Sequence, residues 1–273
     1  MKQAIGVFDS GYGGLTVLDE LIKSMPEYDF IYLGDNARTP YGTRSFDVIY
    51  EYTLQAVEKL FSLGCQLVIL ACNTASAKAL RSIQQKDLPQ IAPQRRVLGV
   101  IRPSVEELGL LSFSKHVGVL GTLGTVRSES YIMEMAKLFP DFSVTQEACP
   151  TWVPLVENRE FDNEGGRYFI KKHIDSLLAK DQKIDTIILA CTHYPILIEE
   201  IQSFLPENIT LVSQGEIVAK SLKDYLNRHP EIDAVCSRNA DVDFYTTEFI
   251  SDFEEKAGVF LKRKLNAKHI TLN

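Results

Sequence analysis

The sequence predicts an α/β protein of two pseudo-symmetric three-layer domains, with mostly parallel sheets and a ligand site in the cleft between them. Three observations lead there. The stretch Leu67-Val-Ile-Leu-Ala-Cys72-Asn73-Thr74-Ala75-Ser76 has an echo at Thr186-Ile-Ile-Leu-Ala-Cys191-Thr192-His193-Tyr194-Pro195. Both are short apolar runs rich in β-branched residues that end in Ala-Cys and give way to polar side chains. Each cysteine is therefore expected at the carboxyl end of a buried strand, where open α/β sheets bind their ligands. A second echo joins Ala4-Ile-Gly-Val-Phe-Asp9-Ser10-Gly-Tyr-Gly-Gly to His116-Val-Gly-Val-Leu-Gly121-Thr122-Leu-Gly-Thr125. Matching Gly6 to Gly118 gives an offset of 112 positions and matching Cys72 to Cys191 one of 119, the drift that loop insertions leave between duplicated halves. Lastly, 273 residues exceed one ordinary core.

The elements follow in order. A strand ending at Phe8 delivers the turn Asp9-Ser10-Gly11-Tyr12-Gly13-Gly14, whose glycines let a ligand approach the backbone before a helix over residues 15–24. A strand at residues 30–34 leads to the loop Asp35-Asn-Ala-Arg-Thr-Pro40-Tyr41-Gly42, and Phe46, Ile49, Tyr50, Thr53, Leu54, Val57 and Leu60 recur at helical spacing over residues 45–63. The strand to Cys72 and a helix over 75–83 come next, then a polar, proline-bearing connection over 84–96 and a strand at 97–101. Helices are expected at 105–111, 128–138, 166–180 and 216–226, and strands at 116–121, 142–145 and 209–212. Cys149 to Glu157 reads as a proline-rich loop, and the tail as two or more strands around residues 234–236 and 269–272. The domains are thus expected as residues 1–98 plus 212–273, carrying Cys72, and 99–211, carrying Cys191, because the termini of a discontinuous domain usually lie close together.

Composition narrows the function. A formal charge of −7 with no Lys/Arg run argues against a nucleic-acid surface and favours a small-molecule partner. The first residues enter a strand directly, without the zones of a signal peptide, and no apolar run reaches the length of a membrane span. A cytoplasmic location is expected, where all five cysteines stay reduced. A homodimer is compatible with the sequence, since helix faces that form dimers look like those that form cores.

Thiols with a pKa of about 8.5 are only a few per cent ionised at neutral pH, so reactivity needs help from neighbours. Cys72 and Cys191 each precede a predicted helix, His193 lies two residues from Cys191, and Asp9 can reach Cys72 if their strands are adjacent. Cys65, Cys149 and Cys236 read as small core residues. Taken singly, the others have ordinary structural readings: Asp9 a helix cap, His193 a satisfied histidine, Tyr41 and Trp152 packing, Thr122 and Thr125 turn formers, Glu157 a solvated carboxylate. Zinc lacks a fourth ligand, and the glycine turn lacks both the Gly-Lys-Ser/Thr of a P-loop and a full Gly-x-Gly-x-x-Gly. Two like acid/base groups facing each other suit one chemistry in particular. Inverting a carbon centre by proton transfer needs one group to take a proton from one face while another delivers a proton to the opposite face.

Six motifs in fixed order carry a family resemblance. They are Phe8-Asp-Ser-Gly-Tyr-Gly-Gly-Leu15, Gly34-Asp-Asn-Ala-Arg-Thr-Pro-Tyr-Gly42, Ala71-Cys-Asn-Thr-Ala-Ser76, Gly121-Thr122, Cys149-Pro150 through Pro154-Leu-Val-Glu157, and Ala190-Cys-Thr-His-Tyr-Pro195. In these the chain resembles the glutamate racemases of the cofactor-independent aspartate/glutamate racemase superfamily. The resemblance implies that Cys72 and Cys191 are the acid/base pair, assisted by Asp9 and His193. It further implies that Ser10, Tyr41, Gly42, Asn73, Thr74, Thr122, Thr125 and Thr192 hold an amino acid, with Pro40 shaping the pocket and Glu157 supporting His193. No cofactor and no metal are implied, and the expected substrate is L- or D-glutamate, with D-glutamate supplied to peptidoglycan. The chain departs from the family pattern at Tyr12, at Trp152 and at Ser213-Gln214, where an Asp often begins the last crossover. Rival expectations are an aspartate racemase, a one-cysteine amidase and a non-catalytic binder of acidic metabolites.

Overall fold

The computed structural model describes residues 3–261 and 263–272. Among the described residues ten strands form two sheets: β1 Ile5–Asp9, β2 Phe30–Gly34, β3 Leu67–Leu70, β4 Arg96–Gly99, β5 His116–Gly121, β6 Ser143–Ala148, β7 Thr186–Ala190, β8 Thr210–Val212, β9 Val242–Thr246 and β10 Ala267–His269. The first sheet runs β10-β9-β2-β1-β3-β4 and the second β6-β5-β7-β8. All pairings among the described residues are parallel. The order β2-β1-β3-β4 in one sheet repeats as β6-β5-β7-β8 in the other, so the echoes in the sequence are echoes in topology. β9 and β10 extend the first sheet beyond β2.

The central strands are apolar along their length because both sheet faces are covered. All of β1, β3 and β7 is buried. Helix Phe46–Ser62 buries Ile49, Thr53, Val57 and Leu60 of the expected stripe together with Ala56 and Phe61, while Phe46 at its start is exposed and Tyr50 and Leu54 are half-buried. One apolar cluster is continuous between the sheets, running from Val7 and Leu15 to Leu120, Trp152 and Leu189. The two halves are therefore packed against each other.

Several expectations are corrected. The connection expected at 84–96 is largely helical. Helix Asn73–Lys78 continues through Leu80–Ser82, a π-helical turn Ile83–Asp87 and Leu88–Ile91. Burial of both Ile83 and Leu88 holds the chain in this path, and Pro89 falls in a first turn, where its missing N–H costs nothing. For the same reason Pro103 is accommodated near the start of helix Ile101–Leu111, which begins four residues earlier than expected. The loop expected at 149–157 contains helix Trp152–Glu157, anchored by the buried pair Trp152 and Val156. Residues 234–236 are not a strand: they follow helix Pro230–Asp233 as turns, and the Cys236 thiol lies 3.3 Å from the Ile232 carbonyl. The tail's first strand is β9, and helix Ile250–Leu261, absent from the sequence expectation, separates it from β10.

Candidate active site

β1 lies between β2 and β3, and β5 between β6 and β7. Asp9 thus ends the strand beside the one that leads to Cys72. The Asp9 carboxylate accepts the Gly11 N–H at 2.9 Å and the Thr192 hydroxyl at 3.2 Å, so it reaches from the first half into the second. Burial raises its pKa, opposed by the charge of His193 and by hydrogen bonds from Gly11, Gly14 and Thr192. The glycines after it are forced by contact. A Cβ on Gly13 would lie 2.3 Å from the Thr192 hydroxyl oxygen and 2.5 Å from Nδ1 of His193, and one on Gly14 2.4 Å from the Asp9 Cβ.

Cys72 and Cys191 are each 6% exposed. Cys72 caps helix Asn73–Lys78, accepting the Ala75 N–H at 3.5 Å, and its sulfur is 3.3 Å from the Ser10 hydroxyl. Burial and then the charge of Asp9 push its thiol up to about 11, against the hydrogen bonds from Ser10 and Ala75. Cys191 is followed by a 3₁₀ turn, Tyr194–Leu197, in place of a full helix. Burial pushes its thiol higher still; the His193 N–H opposes this, while the charges of Cys72, Asp9 and Glu157 add to it. The charge of Cys72 thus adds to the rise at Cys191, which disfavours ionising both thiols together. Cys65, Cys149 and Cys236 are buried and form no disulfide among the described residues, and burial raises the thiols of Cys149 and Cys236.

His193 is 4% exposed, with Nε2 3.0 Å from a Glu157 oxygen. Placing Glu157 on a short helix makes this contact, which the loop expectation left unexplained. Phe260, from the C-terminal helix, meets the imidazole edge-on at 5.4 Å. The turn after Cys191 is anchored by Tyr194, whose hydroxyl donates to the Cys149 carbonyl at 3.0 Å and whose ring meets Trp152 at 4.9 Å.

Threonines line the junction of the halves. The Thr74 hydroxyl is 2.9 Å from that of Thr122 and 3.5 Å from that of Thr125, and Thr122 and Thr125 are 3.1 Å apart. Thr122 also caps helix Leu123–Arg127 by accepting the Thr125 N–H. Gly42 packs on Thr122, where an added Cβ would meet the threonine Cβ at 3.0 Å. Tyr41 is buried with its hydroxyl given to Asp35, which also holds Arg38 at 2.7 Å and the Thr247 hydroxyl at 2.9 Å. Pro40, after a cis peptide bond, is exposed at the rim.

Two contributions escaped the sequence. The C-terminal helix had a readable signal in the spacing of Phe253, Ala257, Phe260 and Leu261. Gln214 stood out only as a departure from the family pattern, with nothing to name its partners: its amide meets Asn73, Tyr131 and Ser104 across more than 80 residues of chain.

Matching parallel α/β domains thus bring two buried thiols, a bridging carboxylate and a histidine–glutamate pair to the strand ends of the two halves. A model of the Asp/Glu/hydantoin racemase family matches residues 13–222. The chain is 40% identical to a glutamate racemase of Ruegeria sp. (strain TM1040), over 96% of this chain and 98% of that one. Its fold is similar to a solved glutamate racemase isoform from Bacillus anthracis, with a TM-score of 0.90, 34% identity, and 99% and 98% of the two chains covered. It is also similar to the glutamate racemase of Francisella tularensis solved in complex with D-glutamate, with a TM-score of 0.88, 30% identity and coverage of 100% and 98%. The chain belongs to the Asp/Glu/hydantoin racemase family, among its glutamate racemases. It is an isomerase of the amino-acid racemase class. Among the described residues no helix is long and apolar enough to cross a membrane.

Proposed function

We propose that the protein interconverts L- and D-glutamate in the cytoplasm without a cofactor, one of Cys72 and Cys191 removing the α-proton and the other delivering a proton to the opposite face, and so supplies D-glutamate for peptidoglycan. One observation carries the mechanism: two thiols at equivalent strand ends, equally buried, lie in an enclosure where the charge of one raises the other. Burial keeps both thiols protonated at rest and the coupling disfavours ionising both, so the working state is the one with a single thiolate, formed more readily at Cys72. The raised pKa makes the thiolate a stronger base than free cysteine, which suits removal of a proton from carbon.

With D-glutamate, the Cys72 thiolate takes the α-proton: the Cα–H bond breaks and an S–H bond forms. The Cys191 thiol then gives its proton to the opposite face, leaving L-glutamate and a Cys191 thiolate. The reverse reaction exchanges the roles. Asp9 offers a counter-charge to the α-ammonium and assists on the Cys72 side, while His193, backed by Glu157, assists on the Cys191 side. Ser10, Thr74, Thr122, Thr125 and Thr192 provide hydroxyls, and Gly42 and Asn73 backbone, to hold the carboxylates as charge develops at the α-carbon. Tyr41 and Pro40 shape the loop that carries Gly42. The glutamate-bound relative and the near-complete coverage of the glutamate racemases support the choice of substrate.

The test is to incubate the purified protein with L-glutamate in D2O, with no cofactor added, and follow circular dichroism and the α-proton NMR signal together. Loss of optical activity as deuterium enters the α-carbon is expected. Retained optical activity together with a retained α-proton overturns the proposal, and L-aspartate then becomes the substrate to try.

A further inference from the structure

Beneath the two thiols lies a closed ring of hydrogen bonds that none of the roles above uses. The Asn73 amide nitrogen donates to the Gln214 carbonyl oxygen at 2.5 Å, the Gln214 amide nitrogen donates to the Tyr131 hydroxyl at 2.9 Å, and that hydroxyl donates to the Asn73 oxygen at 2.8 Å. The second hydrogen of the Gln214 amide goes to Ser104 at 2.6 Å, and Ser104 passes its own to the Val100 carbonyl at 2.7 Å. Asn73, Ser104, Tyr131 and Gln214 are 2%, 0%, 1% and 3% exposed. A polar ring this deep holds one geometry, because any member that moves leaves a buried donor or acceptor unmet.

The ring crosses the molecule's principal seam. Asn73 follows Cys72 directly and opens helix Asn73–Lys78 at the end of β3 in the first sheet. Tyr131 and Ser104 sit on helices Ser130–Leu138 and Ile101–Leu111, whose apolar residues pack with β5 and β7 of the second sheet. Gln214 precedes helix Gly215–Arg228, which returns to pack on helix Gly14–Ser24 behind the Asp9 turn. The ring also lies near the second sulfur. The Tyr131 phenol is raised by burial first, and the charge of Cys191 adds to this.

We propose that Gln214 and Tyr131 are positioning residues of the racemisation: through Asn73 they fix the Cys72 strand end against the half that carries Cys191, setting the gap in which the α-carbon must fit. The inference rests on the two-thiol reading. Proton transfer from both faces of one carbon requires both sulfurs at short range at once, and a misplacement of about 1 Å costs on the order of 10²-fold in rate. In this chain a glutamine side chain does the fixing, at the start of helix Gly215–Arg228.

The experiment uses Tyr131→Phe, Gln214→Leu and the double variant of the full chain. Tyr131→Phe removes one oxygen, and Gln214→Leu removes the amide while keeping its bulk. Expected are losses in kcat of about tenfold for Tyr131→Phe and more for Gln214→Leu, with KM changed less than about threefold. The primary isotope effect with α-deuterated glutamate should rise, because proton transfer becomes slower relative to the other steps. Since the ring acts as a unit, the double variant should be no slower than Gln214→Leu alone. Gln214→Glu keeps an acceptor for Asn73 but loses both donors, so it should fall with Gln214→Leu and not with the wild type. A purely structural role would instead lower the amount of folded enzyme and leave the kcat of the folded fraction and its isotope effect unchanged. Multiplicative losses in the double variant, or a change confined to KM, would equally overturn the proposal. A second readout is independent of the substrate. Alkylation of Cys72 and Cys191 by iodoacetamide, read by peptide mass, should quicken at least fivefold in the folded variants, and an unchanged rate sinks the ring's role. Failure of wild-type enzyme to exchange the α-proton of glutamate would overturn the two-thiol reading, while the alkylation result still decides whether the ring holds the thiols in place.

Discussion

Cys72 and Cys191 occupy the same place in two copies of one topology, yet their surroundings differ. The sulfur of Cys72 caps a helix and touches a hydroxyl, Ser10; Cys191 lies three residues before a 3₁₀ turn and is aided by one backbone N–H. The first is pushed up to about 11, the second further, and Asp9 raises both. Duplication placed two like groups on opposite sides of a cleft, and divergence then graded them. Of a graded pair one member ionises first, here Cys72, whereas two identical thiols would ionise equally. Beside Cys191, His193 is paired with Glu157, a partnership Cys72 has no counterpart for among the described contacts.

The comparison can be broken most forcefully at the sulfurs. Cys72→Ser and Cys191→Ser should each cut racemisation by about 10³-fold, the scale of a lost acid/base group. Polarimetry with either enantiomer checks this, and near-wild-type activity in one variant would mean that the second copy is not a partner.

A backbone contact gives the next largest effect. Gly13→Ala drives a methyl into Thr192 and the His193 backbone, 2.8 Å from its nitrogen, and should cost about 10²-fold in kcat. Gly124→Ala meets the Gly42 oxygen at 2.9 Å on the other half and should cost clearly less. Equal losses would show that the two turns are interchangeable after all.

His193→Gln is expected to lower kcat about tenfold, and more with L-glutamate, for which Cys191 is the base, than with D-glutamate. Because enantiomers in water have an equilibrium constant of unity, kcat/KM must stay equal in the two directions, so KM must fall most where kcat does. Progress curves from both enantiomers test the split, and an identical kcat loss in both directions would remove the link between His193 and Cys191.

The gentlest test is electrostatic. The Cys72 thiol ionises near 11 because of burial and the Asp9 charge. Asp9→Asn removes that charge, which favours the thiolate, so the pH at which Cys72 becomes alkylated by iodoacetamide should move down. Ser10→Ala removes a hydrogen bond to the sulfur and should move it up by a smaller amount. Shifts of the opposite sign would mean that Asp9 does not act on Cys72 through its charge.

Much of this was legible in the chain. The residues of β1, β3 and β7 are apolar because both sheet faces bury them, and their polar ends mark the cleft, so Asp9, Cys72, Cys191 and His193 could be picked out before any coordinates. Local signals failed where tertiary anchors overrode them. Ile83 and Leu88 keep residues 84–91 helical despite a polar, proline-bearing sequence, and Trp152 with Val156 turns a proline-rich loop into the helix that presents Glu157.

By itself, then, the sequence determined the duplicated α/β plan, the two thiols and their strand-end positions, because periodicity and burial act over a few neighbouring residues. The tertiary structure alone decided how those thiols differ and what holds them. Asp9 reaching Thr192, Phe260 against His193, and Gln214 closing its ring with Asn73 and Tyr131 are contacts between distant segments. Their formation depends on how the two halves pack, a property no local pattern encodes.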